Sequence, residues 1–287
     1  MAVYGIIGGS GLYQMDGLRN VEELEVTTPY GPPSDRIFCG QLGDVTLCFL
    51  PRHGRNHTLP PSEINFRANI FALKTLGVEQ VISVSAVGSL QQQIAPGHMV
   101  IVDQFIDFTR ASRPHTFFEA GITGHVSMAD PTCHCLRQAL LEATSKVGVT
   151  THSSGTYICM EGPQFSSRAE SHMYRQWGAD IVGMTNMPEA KLAREAELCY
   201  ATLALSTDYD CWKEDEEHVS VDMVLEVMHQ NVSNARRVLA ALAQMPPLRD
   251  CSCSQAAATA IITPVEAIAP HLKEKLAPLY KKYWVQP

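Results

Sequence analysis

The chain has no surplus of positive charge: 22 Lys and Arg stand against 30 Asp and Glu, a formal charge of -8 over 287 residues. Nucleic-acid binding rests on Lys and Arg at phosphates, so this balance argues against a nucleic-acid partner. It argues equally against an anionic membrane surface. No apolar run approaches the roughly 20 residues that span a bilayer. The opening MAVYGII lacks the basic start of a secretory signal. A cytoplasmic protein with no nucleic-acid and no membrane partner is the expectation.

Metal-binding patterns are also missing. Cys39, Cys48, Cys159, Cys199 and Cys211 stand in apolar or strand-like stretches, where a small buried thiol is the plain reading. Cys133-His134-Cys135 and Cys251-Ser252-Cys253 are tight pairs. A zinc site wants C-x₂₋₄-C twice, or two histidines at proper spacing, and neither is there. No metal is expected, and disulfides enter only if the source is thermophilic.

One glycine is missing where it would matter. Near the start the chain reads YGIIGGSGLYQM, an apolar run leading into Gly8-Gly9-Ser10-Gly11. A dinucleotide fingerprint needs glycines at relative positions one, three and six. Counting from Gly9 gives Gly11 and then Gln14. No Lys-Ser or Lys-Thr pair follows to make a P-loop. The loop suits a small anion.

What is present is an alternation of short apolar runs with helical periodicity, which predicts an α/β fold. Strands are expected at residues 3–7, 46–50, 80–84, 99–102, 156–160, 180–184 and 200–206. Helices are expected after Ser62 to Gly77, over residues 131–147, from the Ser167–Glu170 capping box, and after Ser220 to Ala243. A last helix should start at the box Thr263-Pro264-Val265-Glu266 and run to about Tyr283. No repeat or long linker interrupts the chain. The expectation is an α/β domain over residues 1–245, with residues 246–287 a helical extension packed on the same domain.

Open α/β sheets bind ligands beyond the carboxyl ends of their strands. Reading each strand to its end gives the Gly8–Gly11 loop, then PRHGRNHT with Arg52, His53, Arg55 and His57. SVSAVGS follows with Ser83, Ser85 and Gly88, then Thr185-Asn186, and finally Thr207-Asp208-Tyr209-Asp210. His53 and His57 have the i, i+4 spacing of metal ligands, but Gly54 between them and Pro60-Pro61 beyond make a loop the better reading. Hydroxyls, an Arg-His pair and glycine backbone together make a phosphate site. Two carboxylates at another strand end suit a proton or an amino group.

The segments GIIGGSGL, PRHGRNHTLPPSEINFRANI, SAVGSL, VIVDQFIDFT, EGPQFSSRAES, GADIVGMTNMPEAKLAREAELCYA and STDYDCW cover nearly the whole length. On them the chain resembles the 5'-methylthioadenosine phosphorylases of the trimeric purine nucleoside phosphorylase family. The resemblance implies a central mixed β-sheet flanked by helices, no cofactor, inorganic phosphate as co-substrate, a nucleoside partner and a homotrimer. It implies phosphate binding by Ser10, Arg52, His53, Ser85, the Ala86 N–H and Thr185. Phe165 corresponds to the aromatic residue over the purine and Met184 to the residue under the ribose. Asp208 and Asp210 correspond to the carboxylates facing the base. His57, Val221 and Val224 correspond to the lining of the 5' pocket, and His125 to a histidine lent by a neighbouring subunit. Ser10 and Ser85 stand where threonine is common in relatives, and both keep the hydroxyl. The part after Gln244 looks like a longer microbial branch, and whether Leu272 or Leu276 reaches the 5' pocket is left open.

The chemistry asks for these residue types. Phosphorolysis passes through an oxocarbenium-like sugar while negative charge builds on the purine. Arg52 offers a charged planar fork for phosphate. A carboxyl of raised pKa can protonate purine N7, for roughly 10²–10⁴-fold. Asp208 is assigned to N7 and Asp210 to the N6 amino group, or the reverse. A carboxylate accepts from a 6-amino group and repels a 6-oxo group. The rivals are a 6-oxopurine nucleoside phosphorylase, a methylthioinosine phosphorylase and a catalytically silent nucleoside binder. A dinucleotide-dependent oxidoreductase fails on glycine spacing.

Overall fold

A computed structural model describes residues 2–9, 11–110, 113–213, 221–246, 248 and 251–284, without the side chains of residues 221–224 and 226. The apolar runs form strands because both of their faces are covered, the usual reason for unbroken Val, Ile and Leu stretches in α/β sheets. The strands are β1 (Ala2–Gly8), β2 (Arg19–Leu24), β3 (Ile37–Leu42), β4 (Val45–Pro51), β5 (Gln80–Ser89) and β6 (Met99–Ile101). They continue with β7 (Gln104–Phe108), β8 (Thr151–His152), β9 (Thr156–Met160), β10 (Ile181–Gly183) and β11 (Cys199–Asp208). All join one mixed sheet in the order β2-β3-β4-β1-β5-β10-β9-β7, with β11 joining β5 to β6 and β8.

The helices are α1 (Phe66–Thr75), α2 (His134–Val147), α3 (Arg168–Gln176), α4 (Asn186–Glu195), α5 (Val221–Ala243), α6 (Pro270–Lys275) and α7 (Ala277–Trp284). Alternate strand residues feed two cores. Ile7, Val81 and Tyr200 pack with α1, α4 and the carboxy-terminal helices, while Ile6, Ile82 and Leu203 pack with α2 and α5. Leu272 and Leu276, the candidates for the 5' pocket, are buried in the first of these cores. Among the described residues no helix is long and apolar enough to cross a membrane.

Several boundaries differ from the sequence reading. The helix expected from Ser62 begins later, at Phe66, with Asn65 as its cap: the Asn65 side chain accepts from the Ala68 N–H at 3.2 Å. Residues 61–63 make only a 3₁₀ turn. The single carboxy-terminal helix is instead a 3₁₀ turn at Val265–Ala267 followed by α6 and α7. Pro264 has ψ of 138° and Ala269 ψ of 143°, both extended, and the second fits the bias against helix directly before Pro270. Strands β2, β3, β7 and β8 and helix α4 were not anticipated. The Ser167–Glu170 capping box is present, and Gly148 closes α2 in the left-handed conformation with φ of 76°. Cys39 and Cys48, read as separate buried thiols, sit opposite each other across β3 and β4 and form a disulfide.

The site follows from the way β5 is shared. On one edge β5 pairs with β11 along most of its length. On the other, β1 runs parallel and its pairing stops at Ile7 with Ser83, while β10 runs antiparallel and pairs at Val182 with Gly88. Two strand ends therefore converge head to head, and β5 residues 84–87 have no strand partner on that edge among the described residues. An unpaired backbone edge is a ready source of N–H donors.

Candidate active site

At this edge opens a cavity of about 370 Å³. Its lining includes Arg52, His53, His57, Ser85, Ala86, Phe165, Met184, Thr185, Asp208 and Asp210. Ten of the residues singled out from the sequence are thus brought together from five separate stretches of chain.

Arg52 directly follows β4 and is 3 % exposed. Its guanidinium is held more tightly than a free fork. Nε and Nη2 donate to the two Glu189 oxygens at 2.8 and 3.0 Å, a bidentate buried pair. Nη2 also donates to Ser83 Oγ at 2.6 Å, and Nη1 to the Val84 carbonyl at 3.1 Å. A guanidinium has five N–H donors, so among the described residues one Nη1 hydrogen is left over. Glu189 is in turn fixed by the Tyr200 hydroxyl at 2.9 Å, and Ser83 by the Asn186 amide at 2.9 Å. The Nε/Nη2 edge of the Arg52 fork is thus engaged by Glu189. Side chains in β-strands alternate, and so do backbone groups. The Ala86 N–H therefore lies on the same edge as the Val84 carbonyl that Arg52 takes.

Ser85 is 6 % exposed, and its hydroxyl lies 3.5 Å from the Tyr157 hydroxyl. Tyr157 accepts the Thr185 N–H at 3.4 Å. Gly183 makes room for this arrangement, since a Cβ there would lie 2.0 Å from Tyr157 Oη. His53 Nδ1 pairs with the Leu59 carbonyl at 2.8 Å, which makes Nδ1 the protonated nitrogen and leaves Nε2 as an acceptor. Burial pushes its pKa down to about 4, with the Arg52 charge adding to the fall. His53 is therefore neutral near pH 7. Its ring stacks on His57 at 4.4 Å between centroids, in a turn rather than a helix.

The acid pair closes the other side. Asp208 ends β11, and its Oδ1 accepts the Asp210 N–H at 2.8 Å while Oδ2 accepts the Thr207 hydroxyl at 2.7 Å. Burial pushes its pKa up against those two donors, and the neighbouring Asp210 adds to the rise. Asp210 is 8 % exposed and is likewise raised, chiefly by burial. It adopts a left-handed φ of 51°, a strained backbone of the kind found at functional sites. Gly88 lets the pair in: a Cβ there would lie 3.0 Å from Asp208 Oδ1 and 3.3 Å from Asp210 Cβ.

Phe165 stands at the cavity with 47 % exposure, and Met184 lines it beside Gly183. Leu12, Pro61, Met228 and Val232 add to its apolar lining. None of these four was singled out from the sequence; Met228 and Val232 could have been found by extending the 221–224 helical face by further turns. Ser10 lies outside the described residues, as do the side chains of Val221 and Val224. His125 is exposed and does not line this cavity; its N–H donates to the Ala260 carbonyl at 2.9 Å. Arg236 of α5 was missed as well. It donates to the Gly11 carbonyl through Nε at 2.8 Å and so ties the glycine loop to the helix.

Comparisons with known proteins fit this geometry. A family model described as the phosphorylase superfamily matches residues 3–244. An S-methyl-5'-thioadenosine phosphorylase of Geobacter sulfurreducens is 53 % identical over 275 residues, covering 96 % of each chain. The crystal structure of a methylthioadenosine phosphorylase from an antarctic soil metagenomic library superposes with a TM-score of 0.91 at 51 % identity, over 97 % of this chain and 98 % of that one. A methylthioadenosine phosphorylase from Schistosoma mansoni, in complex with adenine, superposes with a TM-score of 0.81 at 41 % identity, over 85 % and 91 %.

Proposed function

The chain belongs to the phosphorylase superfamily, and we propose that it cleaves 5'-methylthioadenosine with inorganic phosphate to give adenine and 5-methylthioribose 1-phosphate. It is a pentosyltransferase. The observation that carries the reading is the pair Asp208 and Asp210, the first half-buried and the second buried and both raised in pKa, lining one cavity with the unpaired β5 edge.

Phosphate occupies that edge, beside C1' and opposite the departing base. The remaining Arg52 Nη1 hydrogen, the Ser85 and Thr185 hydroxyls and the Ala86 N–H supply its donors, with Ser10 from the glycine loop. Glu189 balances the Arg52 charge, so the arginine is oriented before the anion arrives, the preorganisation that electrostatic catalysis requires. Neutral His53 offers Nε2 as an acceptor to a phosphate O–H or a ribose hydroxyl. Phe165 covers the purine and Met184 underlies the ribose. As negative charge develops on the base, Asp208 gives its proton to N7 and Asp210 accepts from the N6 amino group. Spacing puts α5 positions 221, 224, 228 and 232 on one helical face, which with His57 makes an apolar wall for the methylthio group. The working form is a homotrimer in which His125 completes a neighbour's site.

The test measures adenine release from 5'-methylthioadenosine, adenosine and inosine with and without phosphate. Phosphate-dependent release, fastest from methylthioadenosine and slowest from inosine, is expected. Release without phosphate, or preference for inosine, overturns the assignment.

A further inference from the structure

Far from this cavity, four cysteines from three separate segments converge. Cys133 caps α2, Cys199 opens β11, and Cys251 and Cys253 stand in the segment that leads from α5 toward the carboxy terminus. Their four sulfurs all lie within 4.8 Å of one another. Cys251 Sγ is 3.3 Å from both Cys133 Sγ and Cys199 Sγ. The sequence reading dismissed zinc because it looked for two pairs along the chain, whereas here a C-x-C pair is completed by two single cysteines brought by the fold. Cys135, the other half of the first tight pair, is not in the cluster.

We propose that Cys133, Cys199, Cys251 and Cys253 form a tetrahedral four-thiolate site for a divalent cation of the zinc class, which fastens the carboxy-terminal segment to the α/β body. A zinc–sulfur distance of about 2.3 Å puts tetrahedral sulfurs roughly 3.8 Å apart, within the range that these four already span.

The surroundings suit metal-bound thiolates. The Leu136 N–H donates to Cys133 Sγ at 3.4 Å, the Cys253 N–H to Cys251 Sγ at 3.3 Å, and Arg194 Nη1 to Cys253 Sγ at 3.7 Å. Such donors orient and stabilise coordinating sulfur. Cys133 also sits at the amino end of a 14-residue helix, where negative charge is favoured. Four protonated thiols gain little from this arrangement, and four bare thiolates would repel one another. A divalent cation removes the repulsion and lets every sulfur ionise, as thiol ligands do on binding. The role is structural. Cys199 and Asp208 stand at opposite ends of β11, nine residues apart, or about 30 Å at strand rise.

The protein is produced with zinc supplied, purified under reducing conditions without chelator, and analysed for metal after gel filtration. About one zinc per chain is expected, released by a mercurial thiol reagent. After exchange into cobalt, a thiolate-to-cobalt charge-transfer band is expected. The C251S/C253S double variant should hold no zinc, should melt earlier, and should keep its phosphorolytic rate at low temperature, since neither residue touches the cavity. Two outcomes would overturn the site: zinc-free protein whose four thiols all alkylate freely, or a non-reduced mass showing these cysteines joined as disulfides. Neither readout depends on the variant folding or on the phosphorylase reading being right.

Discussion

At the residue scale, the acid pair holds the most informative conflict between stability and chemistry. Asp208 has a pKa above its ordinary value because it is buried. In the unfolded chain it ionises at the usual carboxylate value, so its favourable contribution is present below that value and is lost as pH rises through the raised folded value. Above that window the raised pKa is therefore a cost to the fold. Asp208→Asn is expected to raise the thermal midpoint at pH 7 while lowering turnover of methylthioadenosine roughly 10²-fold or more. The alkaline fall in rate that the acid imposes should flatten in the same variant. A variant with full activity and an unchanged pH profile would place the proton donor elsewhere. Glu189 teaches a related lesson. From the sequence it carries no signal of its own, yet it is buried and pairs with Arg52.

At the element scale, the unpaired edge of β5 depends on where β1 and β10 stop. Gly183, the last residue of β10, is where the Tyr157 hydroxyl enters to meet Thr185 and Ser85. Gly183→Ala would force Tyr157 aside. Overpacking of this kind costs about 1–3 kcal/mol, so the thermal midpoint should drop and half-saturation by phosphate should rise more than that by nucleoside. Equal rises in both would mean that the edge does not seat the anion. Much of this architecture was legible. Both-faces-buried strands such as β1, β5 and β11 announce themselves as apolar runs, and the residues just past their ends could be read as site candidates. Edge strand β2, RNVEEL, is almost wholly exposed and carries no such signal. Glu189, Tyr157 and Arg236 escaped notice because their partners are remote: Arg52 lies 137 residues from Glu189, and Gly11 lies 225 from Arg236. The cysteine cluster escaped for the same reason, since only folding brings residue 133 beside residue 251.

At the scale of the whole molecule, His125 is exposed and absent from the cavity of its own chain. If it serves a neighbour, His125→Ala should weaken methylthioadenosine turnover without disturbing the fold. Light scattering should give three times the chain mass of 31.6 kDa. A fully active monomer would remove that role. Both sheet faces are closed by helices, so the cavity owes nothing to a missing helix; it opens where two strands halt short of each other along a third. Because that interruption is written into the sheet's wiring, the stretch of β5 it leaves unpaired does not depend on which side chains line the cavity. Substrate range can then drift by exchanging side chains at Asp208, Asp210 or the α5 wall, while the attacking species stays the same through that divergence.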